Sequence, residues 1–400
     1  MGVENNIPEG WLYTELGKVS ENIFSGGTPN TRINKYWNGS LNWLSSGETG
    51  SNFIYSTIKS ITQLGVGNSS TRLALKDDVV VATAGQGNTR GQVSFMCIDS
   101  YINQSIIAIR GNKNALFNKW LFYNLSCRYK ELRFISESNS VRGSITTKML
   151  SSLIKLKLPP LPEQKAIAKV LTAFDDKIEL LQAQNKTLET MAQTIFKEWF
   201  GKYQIGDELP EGWRVGKLGD VMNIFDSKRV PLSKPQREAM SGVYRYYGAT
   251  KVMDYVNDYL FDGIYLLFAE DGSVMDEDGY PFLQYVWGKF WVNNHTHILK
   301  GKNSFSTELL YVLCKKMKVA GIVNGAVQLK INQRNLLSKE IVLPNDYILE
   351  KVDNTIQPLF NKLRINSSQI QSLTKTRDTL LPKLMSGQVR VKNLKQTADA

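Results

Sequence analysis

The chain writes one frame twice, and that repetition restricts it to architectures with two like halves. Ile7-Pro8-Glu9-Gly10-Trp11 opens the first half and Leu209-Pro210-Glu211-Gly212-Trp213 opens the second, so the tryptophans lie 202 residues apart. A Leu-Gly pair follows each opening, Leu16-Gly17 and Leu218-Gly219. Each half closes on a Leu-Pro pair, Leu158-Pro159 and Leu343-Pro344, 185 residues apart, and then on a long heptad-like segment. Between these borders the halves share little sequence. A common frame with different fillings suits measuring a two-part target better than running one reaction.

The heptads predict long helices. Phe174, Ile178, Leu181, Asn185, Leu188, Ala192, Ile195 and Trp199 advance by alternate steps of four and three, the seam of a coiled coil. Asp175, Lys177, Glu179, Gln182, Lys186 and Glu189 fill the other faces. From Glu163 to Trp199 such a helix runs roughly 55 Å, at about 1.5 Å per residue. Leu359, Leu363, Asn366, Ile370, Leu373, Arg377, Leu380 and Leu384 repeat the strip. Pro358 is expected to start or kink this second helix and Pro382 to disturb its last turn. Strips this apolar need a partner, and an antiparallel pair would bury both seams and hold the globules at opposite ends. Asn185 and Asn366 both fall on the seam, where a buried Asn can fix register at a cost in stability. Pseudo-symmetry would set them facing each other; otherwise they sit where the seam opens to water.

The segments between are mixed and strand-rich. In residues 12–155, Asp78–Ala84, Gln92–Ile98 and Ile106–Ile109 read as strands, and Asn118–Leu132 as a helix. In residues 214–340, Gly263–Ala269 and Val286–Val292 read as strands and Thr307–Met317 as a helix. At 400 residues and 42% hydrophobic, the chain can fill two or three ordinary cores.

Net charge is +12, from 49 basic and 37 acidic residues. That balance attracts nucleic acid, acidic lipid or acidic proteins; the plainer alternative is a soluble protein that is simply basic. Cys97, Cys127 and Cys314 are far apart, with no Cys-x-x-Cys, which argues against a disulfide framework or a cysteine zinc site. They read as reduced, buried thiols in a cytoplasmic protein. MGVENNIPEG has no signal-peptide pattern and no apolar run is long enough to span a membrane, so no membrane role is expected.

An enzyme needs a site, and none is found. The Asn/Asp-Pro-Pro-aromatic motif of adenine methyltransferases and a glycine-rich cofactor loop are both missing, as is a phosphate loop. Gly85-Gln86-Gly87-Asn88-Thr89-Arg90 is half of a Gly-x-Gly-x-x-Gly pattern and reads as a turn between strands. Glu163-Gln164-Lys165 mimics the end of a nuclease motif but sits at a helix start after prolines, where it suits capping and the helix dipole. His295-Thr296-His297 would put two imidazoles on one strand face. Without a cysteine or carboxylate at a recognisable spacing the preferred reading of His295 is a polar or DNA-facing residue, with no metal. Asp271, Asp276, Glu277 and Asp278, around Gly272 and Gly279, lack the spacing of a calcium loop. They close a strand turn or accept from cytosine amines.

Several motifs, in order along nearly the whole chain, carry a resemblance. They are the paired Pro-Glu-Gly-Trp openings, Ser25-Gly26-Gly27-Thr28-Pro29 with Tyr36-Trp37-Asn38-Gly39 and Trp43-Leu44, and Leu158-Pro159-Pro160-Leu161-Pro162-Glu163-Gln164-Lys165-Ala166-Ile167. In the second half they are Lys228-Arg229-Val230-Pro231, Tyr246-Tyr247-Gly248-Ala249, Ala269-Glu270-Asp271-Gly272 and Trp291-Val292-Asn293-Asn294-His295. In these the chain resembles the DNA-specificity subunit of type I restriction–modification systems.

The resemblance implies an α+β fold: two α/β target-recognition domains, each followed by a long helix, the helices forming an antiparallel coiled coil about a pseudo-two-fold. It places the first domain at 1–157, the first spacer helix at 158–202, the second domain at 203–343, and the second spacer helix and tail at 344–400. It implies a non-catalytic subunit in which each domain reads one half of a bipartite, asymmetric site on double-stranded DNA. The helices would set the gap and dock two methyltransferase subunits, through which restriction subunits join. No cofactor is implied in this chain; S-adenosylmethionine, ATP and Mg belong to the partners. Glu163, Gln164, Phe174, Ile178, Leu181, Asn185, Leu188, Leu363, Asn366, Ile370 and Leu373 are the expected helix-pair and docking residues. The second helix departs from the pattern, starting at Leu343-Pro344-Asn345-Asp346-Tyr347 without Pro-Glu-Gln, so symmetric docking does not follow.

Affinity for DNA comes from Lys and Arg on phosphates and specificity from a few side chains on base edges. The expected contacts are Arg32, Lys35, Arg90 and Arg142 in the first half, and Lys228, Arg229, Tyr247, Lys251, Asn294 and His295 in the second. Trp37 and Trp43 are expected in the core. The alternative from another class is an interaction scaffold of the same descent whose helices bind proteins and whose globules no longer read DNA.

Overall fold

The computed structural model describes residues 7–85, 87–137, 143–325 and 328–391. It divides into two compact units: residues 1–179 with 371–400, and residues 180–370. The divisions fall inside the two long helices, so each unit holds one globular part and a portion of both helices.

In the first unit the opening Pro8-Glu9-Gly10-Trp11 is a turn closed by Trp11 N–H donating to Pro8 O at 3.0 Å. Gly10 stands at φ +79°, the left-handed position such a turn reserves for glycine. The strand Leu12–Glu15 pairs antiparallel with Lys155–Leu158, Leu12 opposite Leu158, and Leu16 N–H closes the corner on Ile154 O. Above this frame a five-stranded sheet runs in the order Ser20–Ser25, Ile106–Gly111, Val79–Ala82, Val93–Met96, Phe53–Ile54. A four-stranded sheet lies beside it (Lys59–Ile61, Trp37–Leu44, Ser100–Ile102, Arg72–Ala74). Val79, Val81, Ile107 and Ile109 enter one core, while Val80, Ile106 and Ala108 enter another. Cores on both faces explain why these strands read as continuous apolar runs rather than alternating ones.

The second unit repeats the frame. Trp213 N–H donates to Pro210 O at 3.0 Å, Gly212 stands at φ +78°, and Leu218 N–H donates to Lys339 O. The strand Arg214–Lys217 pairs with Glu340–Leu343, Arg214 opposite Leu343. The two offsets in the sequence, 202 and 185, are therefore the two sides of one preserved strand register: Leu12–Leu158 becomes Arg214–Leu343. Its six-stranded sheet runs Met222–Ile224, Thr296–Gly301, Phe261–Ala269, Leu283–Val292, Ser241–Tyr247, Val252–Val256. Leu266 and Phe268 face one core and Leu267 another.

The fillings are more alike than their sequences. Trp43-Leu44 pairs in parallel with Tyr101-Ile102 in the first unit, and Tyr246-Tyr247 with Trp291-Val292 in the second. The long strand Leu283–Val292 corresponds to Val93–Met96 and Ser100–Ile102 together, so a break in one strand splits the first unit's sheet in two.

The long helices are Leu161–Phe200 and Asp346–Ser386. Pro358 and Pro382 lie inside the second helix and do not start or end it. Both prolines are exposed while Ile356, Phe360 and Leu384 are buried, so packing of the opposite face holds the helix despite the lost N–H groups. Its start is fixed instead by Asn345, whose Oδ1 accepts from Ile348 N–H at 3.0 Å. In the second unit the helices run antiparallel, with Asn185 against Ser367 and Trp199 against Lys351. In the first unit Asp175 meets Arg377 and Glu163 meets Arg390, the same sense. The single helix expected over Asn118–Leu132 is two, Asn118–Ser126 and Tyr129–Glu137. The break comes where Arg128 turns its guanidinium onto Asn124 Oδ1, Lys155 O and Glu131. Among the described residues no helix is long and apolar enough to cross a membrane.

Candidate nucleic-acid interface

In the second unit three segments converge on the turn Asn293-Asn294-His295, between Leu283–Val292 and Thr296–Gly301. Asn293 is buried; its N–H donates to Tyr247 O at 3.0 Å and its Oδ1 accepts from His295 N–H at 3.0 Å. Glu270 N–H donates to His295 O at 3.0 Å. Asn294 and His295 themselves are exposed. His295 Nδ1 lies 2.6 Å from Asp271 Oδ1, which orients the ring.

Beneath the turn lies a buried ionic network. Arg229 Nη1 donates to Glu270 Oε2 at 2.5 Å, Thr296 O at 3.0 Å and Asn294 O at 3.2 Å. His297, fully buried, holds Asp226 Oδ2 at 2.5 Å through Nδ1 and Ile331 O at 2.8 Å through Nε2. Asp226 also accepts from Ile298 N–H at 2.9 Å and Gln333 Nε2 at 2.7 Å. Burial opposes ionisation of Asp226, but the His297 bond and charge, with these two donors, outweigh it and hold the carboxyl below its ordinary value.

Asp226, Glu270 and His297 offer atoms within 4.8 Å of one another, as a metal site would. The cationic place among them is filled by Arg229, and Lys330 adds a second charge at 3.3 Å from Glu270. The donor set is already neutralised by side chains and does not fit a metal. The two histidines do not share a face: one is exposed on Asp271, the other buried on Asp226.

The first unit carries the same turn. Asn103 is buried; its N–H donates to Leu44 O at 3.1 Å and its Oδ1 accepts from Ser105 N–H at 3.0 Å. Thr83 N–H donates to Ser105 O at 2.8 Å. Gln104 is exposed and Ser105 half-buried at the positions of Asn294 and His295. Thr28, in the loop that leads to Arg32 and Lys35, bonds Gln104 Oε1. Sequence reasoning did not single out Gln104 and Ser105. The signal was present: Tyr101-Ile102-Asn103-Gln104 and Trp291-Val292-Asn293-Asn294 are both aromatic, aliphatic, Asn, amide, 190 residues apart.

The model of the type I restriction modification DNA specificity domain matches residues 8–190 and again 210–375. The chain belongs to that family. It is a type I restriction–modification specificity subunit, the part of such a system that recognises DNA sequence and is not catalytic. It is 27% identical to the type I restriction enzyme MjaIX specificity subunit of Methanocaldococcus jannaschii, across 97% of this chain and 95% of that one. It is 22% identical to the HindI specificity subunit of Haemophilus influenzae, across 95% and 99%. The crystal structure of the S subunit from M. genitalium shares the fold with a TM-score of 0.60, covering 96% of this chain and 98% of that chain at 16% identity.

Within this specificity subunit the described residues among those expected at DNA fall into two groups. Arg32, Lys35, Lys228, Lys251, Asn294 and His295 are exposed. Arg229, Arg90 and Tyr247 are committed to the fold, which corrects their reading as free contacts. Arg229 braces the turn; Arg90 bonds Gly143 O and, at 3.0 Å, Glu137; Tyr247 is 6% exposed, its ring packed on Phe290. Arg142 lies outside the described residues, as does Gln86 of the glycine loop.

The helix residues also divide. Gln164 is fully buried: its Oε1 accepts from Phe117 N–H at 2.8 Å and its Nε2 donates to Ala115 O and Pro159 O. Glu163 accepts from Trp11 Nε1 at 3.1 Å and from Arg390 at 2.6 Å. Both tie the helix start to its own globule, so they are anchors rather than open docking points. Ile178, Leu181 and Asn366 are buried, and Phe174, Asn185, Leu188, Leu363, Ile370 and Leu373 are half-buried, as a seam requires.

Proposed function

We propose that each recognition domain, 1–157 and 203–343, reads one half of a bipartite, asymmetric site on double-stranded DNA in the cytoplasm. The spacer helices, 158–202 and 344–400, set the gap between half-sites and dock two methyltransferase subunits, through which restriction subunits join. The reading is carried by one observation: the two units share the register of their frame strands and the geometry of the asparagine turn, yet present different side chains on that turn. One scaffold with two different sets of side chains is what an asymmetric split target asks for. Exposed Arg32, Lys35, Lys228 and Lys251 supply phosphate contacts.

The test is the methylation map of a genome in cells expressing this subunit with its methyltransferase. A split motif with unlike halves is expected. Removing one heptad from each helix should change the tolerated gap and leave both half-sites as they were; an unchanged gap removes the spacer role.

A further inference from the structure

We propose that the two residues following the buried asparagine of each unit read the base edges: Gln104-Ser105 for one half-site and Asn294-His295 for the other. The inference rests on the reading above that the chain recognises a split DNA site, and it names the side chains that do so.

Three hydrogen bonds, two between main-chain groups and one onto the asparagine side chain, fix the turn in the same pattern in both units. The asparagine N–H is held by the neighbouring parallel strand, at Leu44 O or Tyr247 O. Its side chain receives the N–H two residues on, at Ser105 or His295. The carbonyl of that residue receives Thr83 N–H or Glu270 N–H. A polar turn clamped this way presents its side chains from a preset backbone, so little ordering cost falls on binding. The clamp is common to both halves and the side chains on it are not. That combination separates a support from a reader.

The chemistry of the two pairs suits the task. Asn294 offers a donor and an acceptor in one plane, the complement of adenine N6 and N7 in the major groove; Gln104, whose Oε1 already accepts from Thr28, keeps its Nε2 donor and a second oxygen lone pair; serine serves either role. His295 has Nδ1 committed to Asp271, which leaves Nε2 as the ring's uncommitted polar atom among the described residues. Basic loops lie beside each turn. Thr28 links Gln104 to the loop of Arg32 and Lys35, and Arg229 links Asn294 to Lys228. Asn293 Nδ2 reaches Met253 Sδ at 3.7 Å, next to the hairpin that carries Lys251. Phosphate contacts therefore flank the proposed base contacts in both units.

The experiment maps methylated motifs for the assembled methyltransferase complex carrying Gln104→Ala, Ser105→Ala, Asn294→Ala or His295→Ala. The conservative exchanges Gln104→Asn and Asn294→Gln are run beside them. Discrimination at one or two base positions should fall about tenfold or more, the range of a lost base contact. The loss should fall in one half-site for the first pair and in the other half-site for the second. The other half-site and the gap should be untouched, which also shows that the variant folds and assembles. A variant that gives no methylation is titrated on a library of duplexes: a base-specific loss supports the proposal and a uniform loss overturns it. A wild-type map without a split motif removes the underlying function. A wild-type split motif that none of the variants alters removes only the assignment of these residues.

Discussion

Asp175 and Arg377, one from each long helix, meet at 2.6 Å within the first unit, and Asp175 takes a second bond of 2.6 Å from Tyr123 of the globular part. The Asp175 side chain is only 4% exposed. Removing one partner of a buried pair costs about 3–5 kcal/mol because the other charge is left unpaired. Arg377 is 19% exposed and also touches Asp378, so Asp175→Ala should sit at the lower end, about 3 kcal/mol. Asp175→Asn, which keeps an acceptor for Tyr123, should lose less. Urea denaturation of the complex measures both; a wild-type midpoint for Asp175→Ala would show that the contact contributes nothing.

Asn185 and Asn366 do not bond each other. They stand one residue out of step in the second unit: Asn185 Nδ2 donates to Ser367 Oγ at 3.0 Å, and Asn366 Nδ2 donates to Gln184 Oε1 at 3.3 Å. Both Oδ1 atoms are buried without a partner, and an unsatisfied buried acceptor costs about 1–3 kcal/mol. Asn366→Leu should therefore raise stability by about 1–2 kcal/mol, since it removes that penalty and buries apolar surface. The polar step that fixes register is weakened at the same time. Thermal melts give the first effect, and cysteine cross-linking across the helix pair the second. A double leucine variant with unchanged melting and one register would leave these residues without either role.

What the sequence disclosed was periodic or repeated. The openings, the Leu-Pro closings and the heptads predict the frame, because register and helix seams are set by spacing alone. Contacts made across another surface left no such mark. Asp175 follows Phe174 and reads as solvated face, yet the helix has a second contact side, toward Tyr123. Arg229 in a polar loop looks the same in sequence whether it faces water or braces Asn294 and Thr296. Tyr247 carries a polar tip on a ring that fills the core. Gln104 lies outside the motifs that carry the resemblance, although the aromatic-aliphatic-Asn pattern around it matches the second half.

Gln164 bears on how the helix start is used. Its amide makes bonds to Phe117 N–H, Ala115 O and Pro159 O from a fully buried position. Gln164→Ala would strand these groups, each worth about 1–3 kcal/mol when left unpaired. The expected result is a lower melting temperature for the first unit, with no direct loss of methyltransferase contacts. Loss of methyltransferase binding at wild-type stability would return Gln164 to a docking role.

The Asp226 network makes a pH prediction. In the folded chain this carboxyl titrates below its ordinary value of 3.8. The unfolded chain therefore binds the proton first as pH falls, and the stabilisation from ionised Asp226 is present above that value. It is lost as pH drops through the lower folded value. Melting temperature followed from pH 7 down to about 3, spanning the ordinary carboxylate range, should fall at the acid end. Asp226→Asn should start lower and show a shallower acid decline; an equally steep decline would put the titration elsewhere.

Lys228 and Arg229 are neighbours with opposite assignments, and salt separates them. Lys228 is exposed, whereas the Arg229 side chain is 15% exposed and bonded within the turn. Each phosphate contact adds about 0.9 to the slope of log affinity against log salt. Lys228→Ala and Lys251→Ala should each lower that slope by about this amount and weaken all DNA sequences alike. Arg229→Ala should leave the slope unchanged and reduce preference for the cognate half-site, because the turn carrying Asn294 and His295 loses its brace while no phosphate contact is removed. Equilibrium binding of the assembled complex to cognate and scrambled duplexes over a range of salt concentrations distinguishes these effects. A fall in slope for Arg229→Ala would place its guanidinium on DNA after all.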